Sequence, residues 1–145
     1  MTPYAKQYIS EKELALFEKI RNAVVRMSDP ELGLDESGKP VILSCHILAR
    51  ATAKVFPVRV KDGYFAGNYS HSWVETFGGH LIDLYPVAVI GGPIMFEGSE
   101  ASPQRRIYTR SSAKKLSRGR FSKSSFRRAV RHVAKLLRTG ANGTG

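Results

Sequence analysis

Apolar residues in this 145-residue chain change their spacing at Phe56-Pro57. Upstream, Leu14, Phe17, Ile20, Val24 and Met27 recur every three or four positions, as a half-buried helix requires. Downstream, short β-type runs follow one another: Val58 to Val60, Tyr64 to Tyr69, His71 to Phe77 and His80 to Leu84. Asp62-Gly63 and Gly78-Gly79 punctuate them. A helix presents one face with a period of 3.6 and a strand with a period of 2. The chain is therefore read as α+β, with helices first and an antiparallel meander after them.

Ser10 and Glu13 form a capping box at the start of the first helix, and Asp29-Pro30 ends it. Residues 31–40, with Gly33, Gly38 and Pro40, form a loop into the apolar run Val41 to Leu43. Ser44 is an N-cap for a second helix from about Cys45 to Val55, which places Cys45 in its first turn. Val87 to Phe96 gives one further strand, broken by Gly91-Gly92-Pro93. Residues 97–123 are polar and basic with few apolar anchors, so loop or partial disorder is expected. A last helix runs from about Ser124 to Arg138, with Phe126, Val130, Val133 and Leu137 as one stripe.

Nothing at the amino terminus resembles a secretory signal, and no apolar run reaches a membrane span of roughly 18 residues, so a cytoplasmic protein without a transmembrane segment is expected. The single cysteine excludes internal disulfides and the usual multi-cysteine zinc sites, so Cys45 is either a buried small hydrophobe or a reactive thiol.

A reactive thiol attacks a carbonyl as thiolate and needs its pKa of about 8.5 lowered. A helix amino terminus offers a favourable dipole end and unpaired N–H groups, which also suit an oxyanion. An imidazole can take the proton, and a carboxylate must orient that imidazole. His71 and Asp83 supply these groups on two strands joined around Gly78-Gly79. Hairpin parity sets a condition. A two-residue loop of Gly78 and Gly79 would leave His71 and Asp83 on opposite faces. A three-residue connection, Phe77 to Gly79, makes Trp73 face Asp83 and puts His71 diagonally beside it, at roughly 7 to 8 Å between backbones. The odd register is predicted.

The other candidates weigh less. His46, about 100° around the helix from Cys45, reads as a flanking residue. His80, at the Gly turn, reads as an exposed loop histidine. No metal-type spacing links Cys45, the histidines and Asp83, so neither metal nor cofactor is expected. Trp73 is read as core or as a wall beside the cysteine that lines substrate. Glu75 reads as a surface or sheet polar residue, and Arg59 as an acid's partner or a sheet cap.

Cys45 at a helix start, then Phe56-Pro57-Val58-Arg59-Val60, Gly63-Tyr64, His71-Ser72-Trp73-Val74-Glu75 and Leu81-Ile82-Asp83-Leu84, resembles the transglutaminase-like branch of the papain-like cysteine enzymes. The resemblance covers roughly residues 40–86. It implies a cysteine-bearing helix packed on a small antiparallel sheet and a Cys45, His71, Asp83 triad. Ser72 stands where that family often has a small apolar residue, His46 follows the nucleophile directly, and no upstream side chain is identified to complete an oxyanion hole. A transglutaminase-like enzyme domain is accordingly expected over 1–100, while the basic extension over 101–145 is read from its charge, with the helical stripe from Phe126 to Leu137 expected to dock on the core.

Charge separates those segments. Residues 1–100 hold 10 Lys and Arg against 12 Asp and Glu, whereas residues 101–145 hold 13 basic residues and no acid. An anionic partner, nucleic acid or acidic protein, is expected to meet residues 105–138. The expected activity is a cysteine hydrolase (peptidase, amidase or deamidase) that forms an acyl-enzyme on a protein or peptide substrate. The alternatives are an acyltransferase or cross-linker with the same triad, and a non-catalytic basic binding protein on the same scaffold.

Overall fold

A computed structural model describes residues 9–27, 31–67, 69–84, 93–98, 105–110 and 122–142. Helix α1 spans Glu11–Arg26 and α2 spans Cys45–Val55. Strands β1 (Val58–Phe65), β2 (Tyr69–Thr76), β3 (Leu81–Asp83) and β4 (Ile94–Phe96) follow. A 3-10 turn (Arg105–Ile107) leads into β5 (Tyr108–Arg110), and α3 covers Lys123–Asn142. The chain is α+β, with an antiparallel sheet in the order β4-β3-β2-β1-β5.

Alternation along the strands sorts side chains into two layers. Val58, Val74, Ile82 and Leu84 join Phe17, Ile20, Val24, Ile47, Leu48, Val133 and Leu137 in one large apolar core. Trp73, Leu81 and Tyr108 form a smaller cluster with Phe96 against it. The stripe on α3 is buried as its spacing predicts, with Val133 and Leu137 fully enclosed. It packs on α1 and α2, so residues from the basic segment complete the main core.

Ser10 caps α1 by accepting from the Glu13 amide at 3.2 Å. The Glu13 carboxylate takes the Thr76 hydroxyl at 2.6 Å and the Gly78 amide at 2.9 Å. The first helix is thereby bolted to the turn between β2 and β3. Asp29-Pro30 and residues 85–92 lie outside the described residues.

Two expectations change. The break expected at Asp62-Gly63 is absent, because β1 runs through it. Gly63 pairs with Arg110, and a Cβ there would run into the Thr109 carbonyl, so this glycine permits the close approach of β5 rather than a turn. The loop expected over 97–123 contains β5, whose Tyr108 is buried. A three-residue strand with one inward aromatic is too short to show period 2, and only pairing with β1 defines it.

Candidate functional site

Ser44 ends an extended segment and accepts from the Ile47 amide at 3.3 Å, so α2 begins at Cys45. The thiol is partly exposed at the amino end of this helix. In the first turn of a helix the amides lack intrahelical acceptors, and the dipole favours negative charge.

The β2–β3 turn has the odd register. Val74 pairs with Ile82 and Glu75 with Leu81, and the Thr76 amide bonds the His80 carbonyl at 2.8 Å, leaving Phe77, Gly78 and Gly79 as the loop. Gly79 has φ +86°, the left-handed conformation that lets a three-residue loop close, and its amide donates to the Thr76 carbonyl at 2.9 Å. Extended by one step, this pairing sets Trp73 opposite Asp83 and His71 diagonally beside it. The His71 Nε2 lies 3.0 and 2.9 Å from the two Asp83 oxygens. That leaves Nδ1 as the nitrogen available to the thiol.

The electrostatics follow from these contacts. Burial pushes the Cys45 thiol up, but hydrogen bonds from His46 and His71 and the Ser72 amide outweigh it, and the thiol falls to about 6. For His71, burial works against the charged ring, whereas the bonds to Asp83 and Cys45 favour it and raise it to about 9. Thiolate and imidazolium therefore coexist between about pH 6 and 9.

Asp83 is 5% exposed, so its charge needs more than one partner. The Tyr108 hydroxyl donates to it at 2.6 Å. Burial and the adjacent Asp83 charge push the Tyr108 phenol upward, which keeps it a donor. Tyr108 is the site residue that sequence reading missed. Its only sequence signal is an aromatic inside a polar segment, which does not indicate where it lands.

Trp73 does not line a substrate wall. It is fully buried, its ring stacks on His71 at 6.2 Å between centroids, and its Nε1–H donates to Glu75 at 3.2 Å. It backs the imidazole from inside the protein. Glu75 is buried rather than superficial and is held by Arg110 at 2.5 and 3.0 Å. His80 is partly buried, not an open loop residue. Its Nδ1 accepts from the Gly98 amide at 3.1 Å, which ties β4 to the hairpin turn. Arg59 lies over the Phe77 ring at 4.8 Å.

His46 is more than a flanking residue. Its Nδ1 is 2.6 Å from the Ser72 hydroxyl, which donates to Asp62 at 2.5 Å, and Asp62 is paired with Arg50 at 2.6 Å. Among the described residues no set of three His, Cys, Asp or Glu is gathered as a metal site, and no helix is long and apolar enough to cross a membrane. No protein-family model matches the chain, and no curated protein or solved structure matches it.

Proposed function

We propose that the protein is a cysteine hydrolase that forms an acyl-enzyme on the amide or ester carbonyl of a protein or peptide, on a transglutaminase-like scaffold. The observation that carries this reading is the His71 ring, which contacts the Cys45 thiol on one side and the buried Asp83 on the other. A structural cysteine in an apolar core would have its pKa raised, whereas this thiol is lowered to about 6.

The steps balance without a further reagent. The Cys45 thiolate attacks the carbonyl carbon, and a C–S bond forms as the carbonyl π pair moves to oxygen. Amides at the start of α2 receive that oxyanion. Collapse expels the amine, which takes the proton from the His71 imidazolium. Water then adds to the thioester, with neutral His71 taking its proton, and the thiolate leaves. Asp83 holds the ring and stabilises its charged form, and Tyr108 holds Asp83.

The test uses p-nitrophenyl acetate. We expect a burst of one equivalent of nitrophenol, an acetyl group on Cys45 by peptide mass mapping, and slow release of acetate. No burst, together with iodoacetamide alkylation that begins only near pH 8.5, would sink the proposal. Transfer is separated from hydrolysis by adding a primary amine: acetylated amine as the main product favours the acyltransferase.

A second reading, in which the basic face binds an anionic partner, rests on a cavity of about 430 Å³ between α2 and α3. Arg50, Lys54, Arg127 and Arg131 border it over a floor that includes Phe126. Arg127, Arg131, Lys135 and Arg138 recur along one side of α3 and are exposed. Nucleic acid and acidic protein both suit such a stripe. Retention on heparin that falls with salt, and falls further in Arg127→Glu/Arg131→Glu, supports it; retention unchanged by the double substitution overturns it.

A further inference from the structure

Helices α2 and α3 carry one pattern twice. Arg50, Ala53 and Lys54 on α2, and Arg127, Val130 and Arg131 on α3, stand at i, i+3 and i+4, so each triplet lies on one face of its helix. The two helices pack together, and both triplets border the cavity of about 430 Å³ between them. Each helix thus sets two cations around an apolar residue, and Phe126 completes the apolar floor. Arg50 is fixed before any ligand arrives. Its Nη2 donates to Asp62 Oδ2 at 2.6 Å, its Nη1 reaches the His46 carbonyl at 3.3 Å, and its guanidinium lies 5.8 Å from the Phe126 ring centre. A guanidinium has five donors, so Arg50 can keep Asp62 and still meet a second anion.

The charge around the cavity is not balanced from within. Among the described residues Lys54, Arg127 and Arg131 make no ion pair, and Asp62 pairs with Arg50. Cations gathered around one cavity repel one another, and a bound anion removes that repulsion.

Size and charge choose among anions. A volume of about 430 Å³ falls within the rough range of 300–1,000 Å³ found for small-molecule sites. Four bordering cations, less the Asp62 carboxylate that Arg50 already holds, leave three positive charges. A terminal phosphate carries about −2 and an internal one adds roughly −1, so a diphosphate ester matches. Guanidinium forks hold phosphate oxygens in pairs, and three of the four cations are arginines. Phe126 is only 9% exposed, which leaves no open ring on which the bases of a single-stranded nucleic acid would stack. The apolar floor instead seats the organic group of a small ester.

We propose that the cavity between α2 and α3 is a binding site for a small diphosphate ester, held by Arg127, Arg131, Lys54 and Arg50. This rests on the reading in which the basic face draws an anion, and narrows it; it is independent of the chemistry at Cys45.

The experiment is isothermal titration calorimetry of the full chain at low ionic strength, with ADP as the probe ester. One ADP should bind per chain, inorganic pyrophosphate should compete with it, and AMP should bind about tenfold more weakly. Arg127→Gln/Arg131→Gln, at two exposed positions, should weaken ADP by about tenfold or more. Ala53→Phe fills the cavity without changing a charge, so it should abolish ADP binding and leave retention on heparin at the wild-type level. Circular dichroism checks folding, and the double glutamine variant keeps the test open where Ala53→Phe does not fold. No saturable ADP binding, or binding unchanged in both variants, overturns the inference. If ADP fails while heparin retention still depends on Arg127 and Arg131, the broader anionic reading survives alone. If oligothymidylate or polyglutamate binds and ADP does not displace it, the occupant is a macromolecule and the diphosphate site falls. If ADP binds as expected but heparin retention ignores the substitutions, the site stands and the macromolecular reading falls.

Discussion

The two faces of β2 are built from different material. Val74 turns into the large core, where it meets Ile82 and the helices, and shape and apolar area decide the contacts. His71, Trp73 and Glu75 turn the other way, into a thin layer where each polar group is held. His71 bonds Asp83, Trp73 bonds Glu75, Glu75 bonds Arg110, and Asp83 also receives Tyr108. Among the described residues no buried side-chain nitrogen or oxygen lacks a partner. Loss of a methylene from the first face costs packing; loss of one partner from the second leaves a buried charge with nothing opposite it. The first face carries the apolar packing, and the second holds the His71 and Asp83 of the candidate site.

That contrast can be broken at several points. Cys45→Ala has the largest expected effect on chemistry, complete loss of acyl-enzyme formation, whereas its effect on unfolding free energy should be small below about pH 6 and grow as pH rises above it. Substrate burst and urea titration on one sample check both halves. Asp83→Asn should lower the acylation rate by about 10²–10⁴-fold, because His71 loses the anion that holds and charges it. A drop under tenfold would mean that the thin layer does not drive the thiol.

Leu137→Ala should destabilise the fold by about 2–5 kcal/mol in denaturant titration, since Leu137 is fully buried in the main core. The alkylation midpoint of the folded fraction should stay near 6. A shifted midpoint would show that the two faces are coupled. Tyr108→Phe, the smallest effect, removes one donor from Asp83 and should cost about 1–3 kcal/mol with a fall in acylation of tenfold or less.

Acidity tests the same division. His71 is raised from 6.5 to about 9, so its contribution to stability is fully present below pH 6.5 and is lost as pH rises through 9. Cys45 is lowered from 9.0 to about 6, so its contribution is present above pH 9.0 and is lost as pH falls through 6. Acylation should follow a bell between those limits, and Cys45→Ala should remove the acidic limb from the stability curve.

Helices α1 and α2 were readable because apolar period, Ser10 and Ser44 agree on where they start. The stripe on α3 was equally plain. The odd hairpin register was readable as a condition, because only one loop length brings His71 and Asp83 to one face. What keeps that loop closed was not, since Glu13 lies 63 residues from Thr76 in sequence. Ser72 and His46 looked unrelated for the same reason, being 26 residues apart until α2 packs on β2.

The sequence by itself determined the α+β class, the helix start at Cys45 and the three residue types of the candidate site, because period, capping and side-chain chemistry are local properties. The tertiary structure alone decided that Tyr108 holds Asp83, that Trp73 is buried behind His71, and that His46 stands on a relay to Asp62 and Arg50. Those contacts join α2 with β1 and β2, and β5 with β3, and a buried polar group finds its partner only when the backbones that carry both are packed together.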